Sequence, residues 1–336
     1  MLSAGSYLSA VSLAAEVKEF ALGLGADAVG IASVDVLNAH PPDPNCPQTP
    51  EQIWSEARSC VAFTQRIPAG AFRARDMACV HHVDQLVLRE MDKVGYRIAR
   101  FLEDRGHRAF QSAAQETVWE YKNGSYGWLS LRHVAIEAGL GTLGLELNLL
   151  TESAGPRCYT TAVLTDAELE PDTKLRAQLC IGETCSRCLH ACPPDAVGHW
   201  DLDKRLCATF AQEFGFATIL RVARAFSAAP TPVDQLAVTR THEWLGIWQG
   251  LLRVVGAFGD CPRCLAVCPV GDDYNAFLRE DQRLIPEKTP AKAERGRQLL
   301  QIRKRGELVP GLADGRSRWV GEDGYTPPAK RAVELV

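Results

Sequence analysis

Eight of the twelve cysteines in this 336-residue chain fall between Cys180 and Cys268. They lie in L-C-I-G-E-T-C-S-R-C-L-H-A-C-P-P (179–194), in D-C-P-R-C-L-A-V-C-P (260–269), and singly at Cys207. Both runs end in Cys-x-x-Cys-x-x-x-Cys-Pro. Each iron of a [4Fe–4S] cube takes one thiolate, and a two-residue spacer lets one short loop offer successive thiolates to the same cube. The x-x-x-Cys-Pro ending carries the last thiolate away, and in two-cluster ferredoxins it ligates the other cube. On that pattern one cube takes Cys180, Cys185, Cys188 and Cys268. The other takes Cys261, Cys264 and Cys192, with one position open. Cys180 and Cys185 are four residues apart rather than two, which makes Cys180 the irregular ligand.

Two four-thiolate zinc sites would also use the Cys-x-x-Cys pairs, but zinc gives no reason for two Cys-Pro endings. Disulfides belong to secreted proteins, and the N-terminus M-L-S-A-G-S-Y-L-S-A has neither a basic n-region nor a twin arginine. No apolar run is long enough to cross a bilayer. The expectation is a cytoplasmic protein with reduced thiols and no membrane contact. The formal charge of −4 speaks against a general nucleic-acid binder.

The elements that must position these cysteines read as an α/β (α+β) chain. Apolar residues recur at helical spacing over 11–24, and most clearly over 83–105, where Val83, Val87, Met91, Val94, Ile98 and Leu102 share a face. Segments 28–32, 59–64, 107–112 and 158–165 read as strands, with a proline-rich loop from His40 to Pro50. The mixed aromatic and polar stretch 116–129 reads as a loop lining a site. A helix at 131–138 runs into A-G-L-G-T-L-G. Gly139, Gly141 and Gly144 match G-x-G-x-x-G, but they follow a helix rather than a strand, so the dinucleotide reading fails. They predict close backbone approach to a flat ligand, or a tight turn. The insertion 208–258 reads as helical, its apolar face (Trp244, Leu245, Ile247, Trp248, Leu251, Leu252, Val255) being core or a lid. Residues 295–305 read as a solvated basic helix, followed by an irregular tail. Cys46, Cys60, Cys79 and Cys158 read as small buried hydrophobes.

The run R-H-V-A-I-E-A-G-L-G-T-L-G-L-E-L-N-L-L-T-E-S-A-G-P-R-C-Y-T-T-A-V-L-T-D-A-E-L-E-P-D (132–172), followed by the cysteine motif, resembles the superfamily of epoxyqueuosine reductase and the cobamide-dependent reductive dehalogenases. E-F-A-L-G-L-G-A-D-A-V-G-I-A (19–32) resembles its opening, and Cys207 in K-R-L-C-A-T-F resembles its isolated cysteine, which would complete the second cube. The resemblance covers roughly residues 14–275. It implies a nitroreductase-like, corrinoid-binding domain (1–172), a two-[4Fe–4S] ferredoxin-like domain (173–279, with the helical insertion) and a charged C-terminal tail (280–336). It implies a cobalamin beside the two clusters, with Gly139, Gly141, Gly144 and His133 toward the corrinoid. Reduced ferredoxin or flavodoxin would supply electrons for cleavage of a carbon–halogen or carbon–oxygen bond in a small molecule; the alternative is an iron–sulfur electron-transfer protein that keeps the fold without the corrinoid.

Epoxyqueuosine reductases carry an aspartate in D-S-A-P-x-L-E-R shortly before A-G-L-G. Here that stretch is N-G-S-Y-G-W-L-S-L-R (123–132) and holds no aspartate, so modified tRNA is the less expected substrate. The dehalogenases use a tyrosine supported by a nearby cation. Tyr126 and Tyr121 are the candidates for proton donor, with Lys122 and Arg132 close in sequence.

Overall fold

The computed structural model describes residues 12–43, 46–113, 126–253, 259–307, 309 and 317–321. Tyr121, Lys122 and Val255 lie outside the described residues, as does most of the 116–129 segment.

A four-stranded antiparallel sheet sits at the centre. Its strands are β1 (Ala28–Ser33), β2 (Ser59–Arg66), β3 (Ala109–Gln111) and β6 (Cys158–Thr165), in the order β1-β2-β6-β3. Alternation along β2 separates two cores. Val61 and Phe63 face one side with Ile31 and Val163, while Cys60 and Ala62 face the other with Ala32, Ala162 and Leu164. Both faces are covered, so the central strands read as unbroken apolar runs.

Helices α1 (Leu13–Gly23) and α3 (Met77–Glu103) cover the first face; α2 (Val34–Ala39) and α4 (Leu131–Glu137) cover the second. Helix α3 begins six residues ahead of the periodic segment because Asp76 caps it, its carboxylate accepting from Ala78 N at 2.8 Å. His81 and His82 therefore lie inside the helix. It ends at Gly106, whose φ of +87° lets His107 N bond back to Leu102 O at 3.1 Å. Helix α2 was not visible in the sequence: six residues are too short to show a period. The same holds for a hairpin of β4 (Thr142–Leu143) and β5 (Leu149–Leu150) inside the glycine run.

The cysteine segment follows. It contains α5 (Arg187–Ala191), β7 (Asp201–Asp203), α6 (Lys204–Ala211), α7 (Phe216–Ala228), α8 (Pro232–Val238), α9 (His242–Arg253), α10 (Arg263–Val267), α11 (Arg279–Arg283), α12 (Pro290–Lys304) and β8 (Ser317–Trp319). Helices α5 and α10 carry the repeated R-C-L-x-x and pack on each other, each ending at a cysteine with extended backbone, Cys192 and Cys268.

Three expectations are corrected here. The apolar face of the insertion is not core: Leu245, Trp248 and Leu251 are exposed, Leu252 is 73% exposed, and only Gly246, Ile247 and Gly250 of α9 are buried. The basic helix near the C-terminus is solvated on one side only: Arg297 and Lys304 are exposed, but the opposite side is packed. Lys292 donates to Cys192 O, Arg295 to Asp195 O and Val197 O, and Arg303 to His199 O. Nor is the tail wholly irregular, because β8 pairs antiparallel with β7. Among the remaining cysteines, Cys60 is buried in the sheet but Cys79 is exposed, at the open start of α3.

Candidate metal centres and the adjoining cavity

The eight cysteines sit where α5, α6 and α10 converge. Cys188, Cys192 and Cys268 are buried; Cys180, Cys185, Cys207, Cys261 and Cys264 are partly so. Burial is the main influence on their thiols, pushing Cys207 up to about 12 and Cys261 to about 11, and raising Cys180, Cys188, Cys264 and Cys268. Their mutual electrostatic neighbours fall into two sets. Cys180 feels Cys185, Cys188 feels Cys180 and Cys268, and Cys268 feels Cys180. Cys207 feels Cys192 and Cys261, Cys261 feels Cys192, and Cys264 feels Cys261 and Cys207. Cys188 also feels Cys264 of the second set, ahead of Cys268 and Cys180 of its own, so the two sets adjoin there. Each set thus contains a cysteine from the opposite run.

This donor chemistry fits two [4Fe–4S] cubes. Thiols gathered away from water are disfavoured as free thiolates, and a cluster supplies the positive charge that stabilises them. Among the described residues, no three His, Cys, Asp or Glu side chains converge as one metal ion requires. A cube spreads its thiolates over four corners.

Arg157, from the G-P-R motif, locks the second run against the sheet. Its side chain is fully buried and pairs with Asp273 at 2.8 Å; it donates also to Leu265 O (3.2 Å), Cys268 O (3.0 Å) and Val270 O (2.8 Å). The motif was visible in the sequence; its targets, over a hundred residues away, were not. On the other side, buried Asp84 of α3 accepts from Asp260 N at 3.2 Å, beside Tyr159. Burial, then the nearby Asp260, pushes the Asp84 carboxyl up to about 7.

Next to the cysteines lies a small cavity of about 20 Å³, lined by Ser130, Arg132, His133, Ile136, Leu143, Leu147 and Val320. It gathers Arg132 and His133 from α4. Arg132 is within electrostatic reach of both Glu146 and Cys207. Tyr126 is buried nearby in the chain, and the cation it meets is one the sequence did not offer: Lys204 Nζ, at the start of α6, lies 3.5 Å from its ring centroid.

The three glycines are committed to the chain itself. A Cβ at Gly139 would lie 2.5 Å from Thr173 O, one at Gly141 2.0 Å from Leu150 O, and one at Gly144 2.7 Å from a Glu146 carboxyl oxygen. Gly139 also holds a φ of +73°. Of the two readings of the run, the structure shows the tight turn: the close approach is to neighbouring backbone and to Glu146. The cavity beside them is of water size.

No known family profile matches the chain. By sequence it is 30% identical over 145 residues to a tetrachloroethene reductive dehalogenase of Dehalobacter restrictus, covering 36% of this chain and 24% of that one. It is 24% identical over 225 residues to the epoxyqueuosine reductase of Bacillus subtilis, covering 60% and 56%. The chain spans about a quarter of the dehalogenase's length. Among solved structures, a B12-dependent reductive dehalogenase superposes with a TM-score of 0.51 at 16% identity, covering all of this chain and 43% of that one, a likeness of fold. The chain is thus similar in sequence to reductive dehalogenases and epoxyqueuosine reductases, the groups its own residues resemble.

Proposed function

We propose that this chain is an iron–sulfur oxidoreductase that passes electrons through two [4Fe–4S] cubes toward the Tyr126–Arg132–His133 region. There it would reductively cleave a carbon–halogen or carbon–oxygen bond of a small organic substrate. The observation that carries this is the division of eight thiols into two neighbouring sets, each closed by a cysteine of the other run. Crossed closure holds two cubes close together, as one-electron transfer between them requires.

Cys180, Cys185, Cys188 and Cys268 would hold one cube, and Cys192, Cys207, Cys261 and Cys264 the other. A corrinoid is the electron acceptor that the resemblance implies, and the related dehalogenase structure is of a B12-dependent enzyme. What the chain's own residues can do is local. Tyr126 is the proton donor in this reading, held by packing against Lys204, whose charge over the ring stabilises the phenolate left after transfer. Arg132, within electrostatic reach of Cys207, would face negative charge developing near the second cube. Reduced ferredoxin or flavodoxin is the electron donor, and the cytoplasm the compartment.

The test is anaerobic purification with added hydroxocobalamin, followed by iron, sulfide and cobalt analysis, EPR, and turnover of a brominated hydroxybenzoic acid, the ligand class seen in a related dehalogenase. About eight irons with debromination supports the reading. Zinc in place of iron overturns it. Iron without reduction of any halogenated substrate, but with turnover of epoxyqueuosine-containing tRNA, overturns the small-molecule half.

A further inference from the structure

Charge is spread unevenly over this chain. Its formal net charge is −4, yet residues 289–307, α12 and its flanks, hold six Lys or Arg against two Glu. Helix α12 packs on α5, where a Cβ at Gly296 would lie 3.3 Å from Leu189. Its C-terminal end stands beside the turn Gly182–Thr184, with Arg303 Nε 3.9 Å from Glu183 Oε1. That turn lies between Cys180 and Cys185. Lys292, Arg295 and Arg303 are spent on carbonyls of the cysteine loop. Lys304 is exposed at the end of the helix, Arg176 is exposed four residues ahead of Cys180, and Arg187 is half-buried at the start of α5. These three make no ion pair among the described residues. An apolar side chain stands on the same turn. Ile181 is 58% exposed, where Gly182 holds a φ of +77° and its N–H donates to Cys180 Sγ at 3.4 Å.

The second cysteine run has the opposite surroundings. Residues 259–287 hold six Asp or Glu against three Arg. The second set is also turned toward the reaction region. Cys207 lies about one turn beyond Lys204 on α6, and Lys204 Nζ is 3.5 Å from the Tyr126 ring centroid. A cube on Cys207 would therefore adjoin the Tyr126 side, which leaves the first cube, under the basic face, to meet a partner from outside.

We propose that the face formed by residues 176–187 and the C-terminal end of α12 docks a small acidic electron-carrier protein, so that electrons enter at the first cube. The inference rests on the two-cube reading. Unpaired cations on one face and acidic residues around the other run steer an anionic partner to a single side. Such steering raises association rates by about 10- to 1,000-fold at low salt and fades as the Debye length shortens. Weak electron-transfer encounters bury little surface, so a few cations beside one exposed Ile suffice. One electron leaves the carrier and one reaches the first cube, with no proton moved between them.

The experiment mixes the anaerobically reconstituted full chain with a reduced acidic flavodoxin and follows cube reduction by rapid-freeze EPR, at low and at high salt. Wild type is compared with Arg176→Glu/Lys304→Glu, with the two single variants, and with Arg279→Glu on the acidic side. Iron is counted in each, and reduction by photoreduced deazariboflavin, a small uncharged donor, checks that the cubes are intact. The wild-type rate should fall at least about fivefold between roughly 50 and 300 mM salt. The double variant should be slower than wild type by at least about fivefold at low salt and should lose most of the salt dependence, whereas Arg279→Glu stays within about twofold. Should the double variant lose iron, the single variants carry the same test. A salt-independent wild-type rate, reversed charges that leave the rate unchanged, or an equal slowing by Arg279→Glu overturns the proposal. So does a chain that deazariboflavin reduces and flavodoxin does not. A wild-type chain without iron instead removes the two-cube reading itself, so the two failures are distinguishable.

Discussion

Replacing Arg157 with Met is the sharpest test of how the cysteine segment is held to the sheet. The side chain is fully buried and pairs with Asp273, which is itself only 2% exposed. Removing one partner of such a pair leaves an uncompensated charge, at a cost of about 3–5 kcal/mol. The carbonyls of Leu265, Cys268 and Val270 also lose their guanidinium donor. At about 1 kcal/mol for each hydrogen bond, the loss comes to roughly 6–8 kcal/mol. That is comparable with the whole stability of many domains, about 5–15 kcal/mol. Denaturant unfolding of the iron-loaded protein, followed by far-UV circular dichroism and by the cluster absorbance, measures it. The double replacement Arg157→Met/Asp273→Leu removes the orphaned carboxylate and should recover about half the loss. A single variant within about 1 kcal/mol of wild type, or a double variant no better than the single, refutes the reasoning.

Further outcomes follow from other sites. Cys185→Ser should abolish the EPR signal of one cube and Cys264→Ser that of the other; loss of both signals in each variant would show that the cubes form only as a pair. Asp84 has a folded pKa of about 7 against 3.8 for the free side chain, so its favourable contribution is complete below pH 3.8 and is lost as pH rises through 7. Asp84→Asn should therefore flatten the stability–pH curve between about pH 4 and 7 and stabilise the protein at pH 8, as read from denaturant midpoints. Tyr126→Phe should lower kcat at least about 100-fold with KM little changed, and Lys204→Met should lower it less; an unchanged kcat in Tyr126→Phe removes the tyrosine from the chemistry. Leu252→Ser, on the exposed face of α9, should change the unfolding free energy by no more than about 0.5 kcal/mol, whereas Ile247→Ala should lower it by more than 1 kcal/mol.

The strands at 28–33, 59–66 and 158–165 were legible because they are buried on both faces and flanked by turn residues. The long helix was legible from Val83 to Leu102, where one face meets the sheet, but not over its first turns, where Asp76 rather than periodicity sets the start. The cysteine runs were legible as motifs because cluster ligation imposes local spacing. What escaped depends on residues far apart in the chain. Lys204 reaches Tyr126 across 78 positions, and Arg157 reaches Asp273 across 116. No period or spacer encodes either contact. The apolar stripe of α9 misled for the opposite reason: it is a true helical period, but among the described residues nothing covers most of it.

The stitching of α12 also has a temporal side. Lys292 reaches back 100 residues to the carbonyl of Cys192, Arg303 reaches 104 to that of His199, and the ring of His199 meets Gly296 O at 3.0 Å. A ribosome makes the cysteine loop long before it makes these partners. Throughout that interval the carbonyls of Cys192, Asp195, Val197 and His199 lack these side-chain donors. The loop that would carry half the thiolate ligands thus takes its final shape from the last described helix to be made, about a hundred residues after the cysteines themselves.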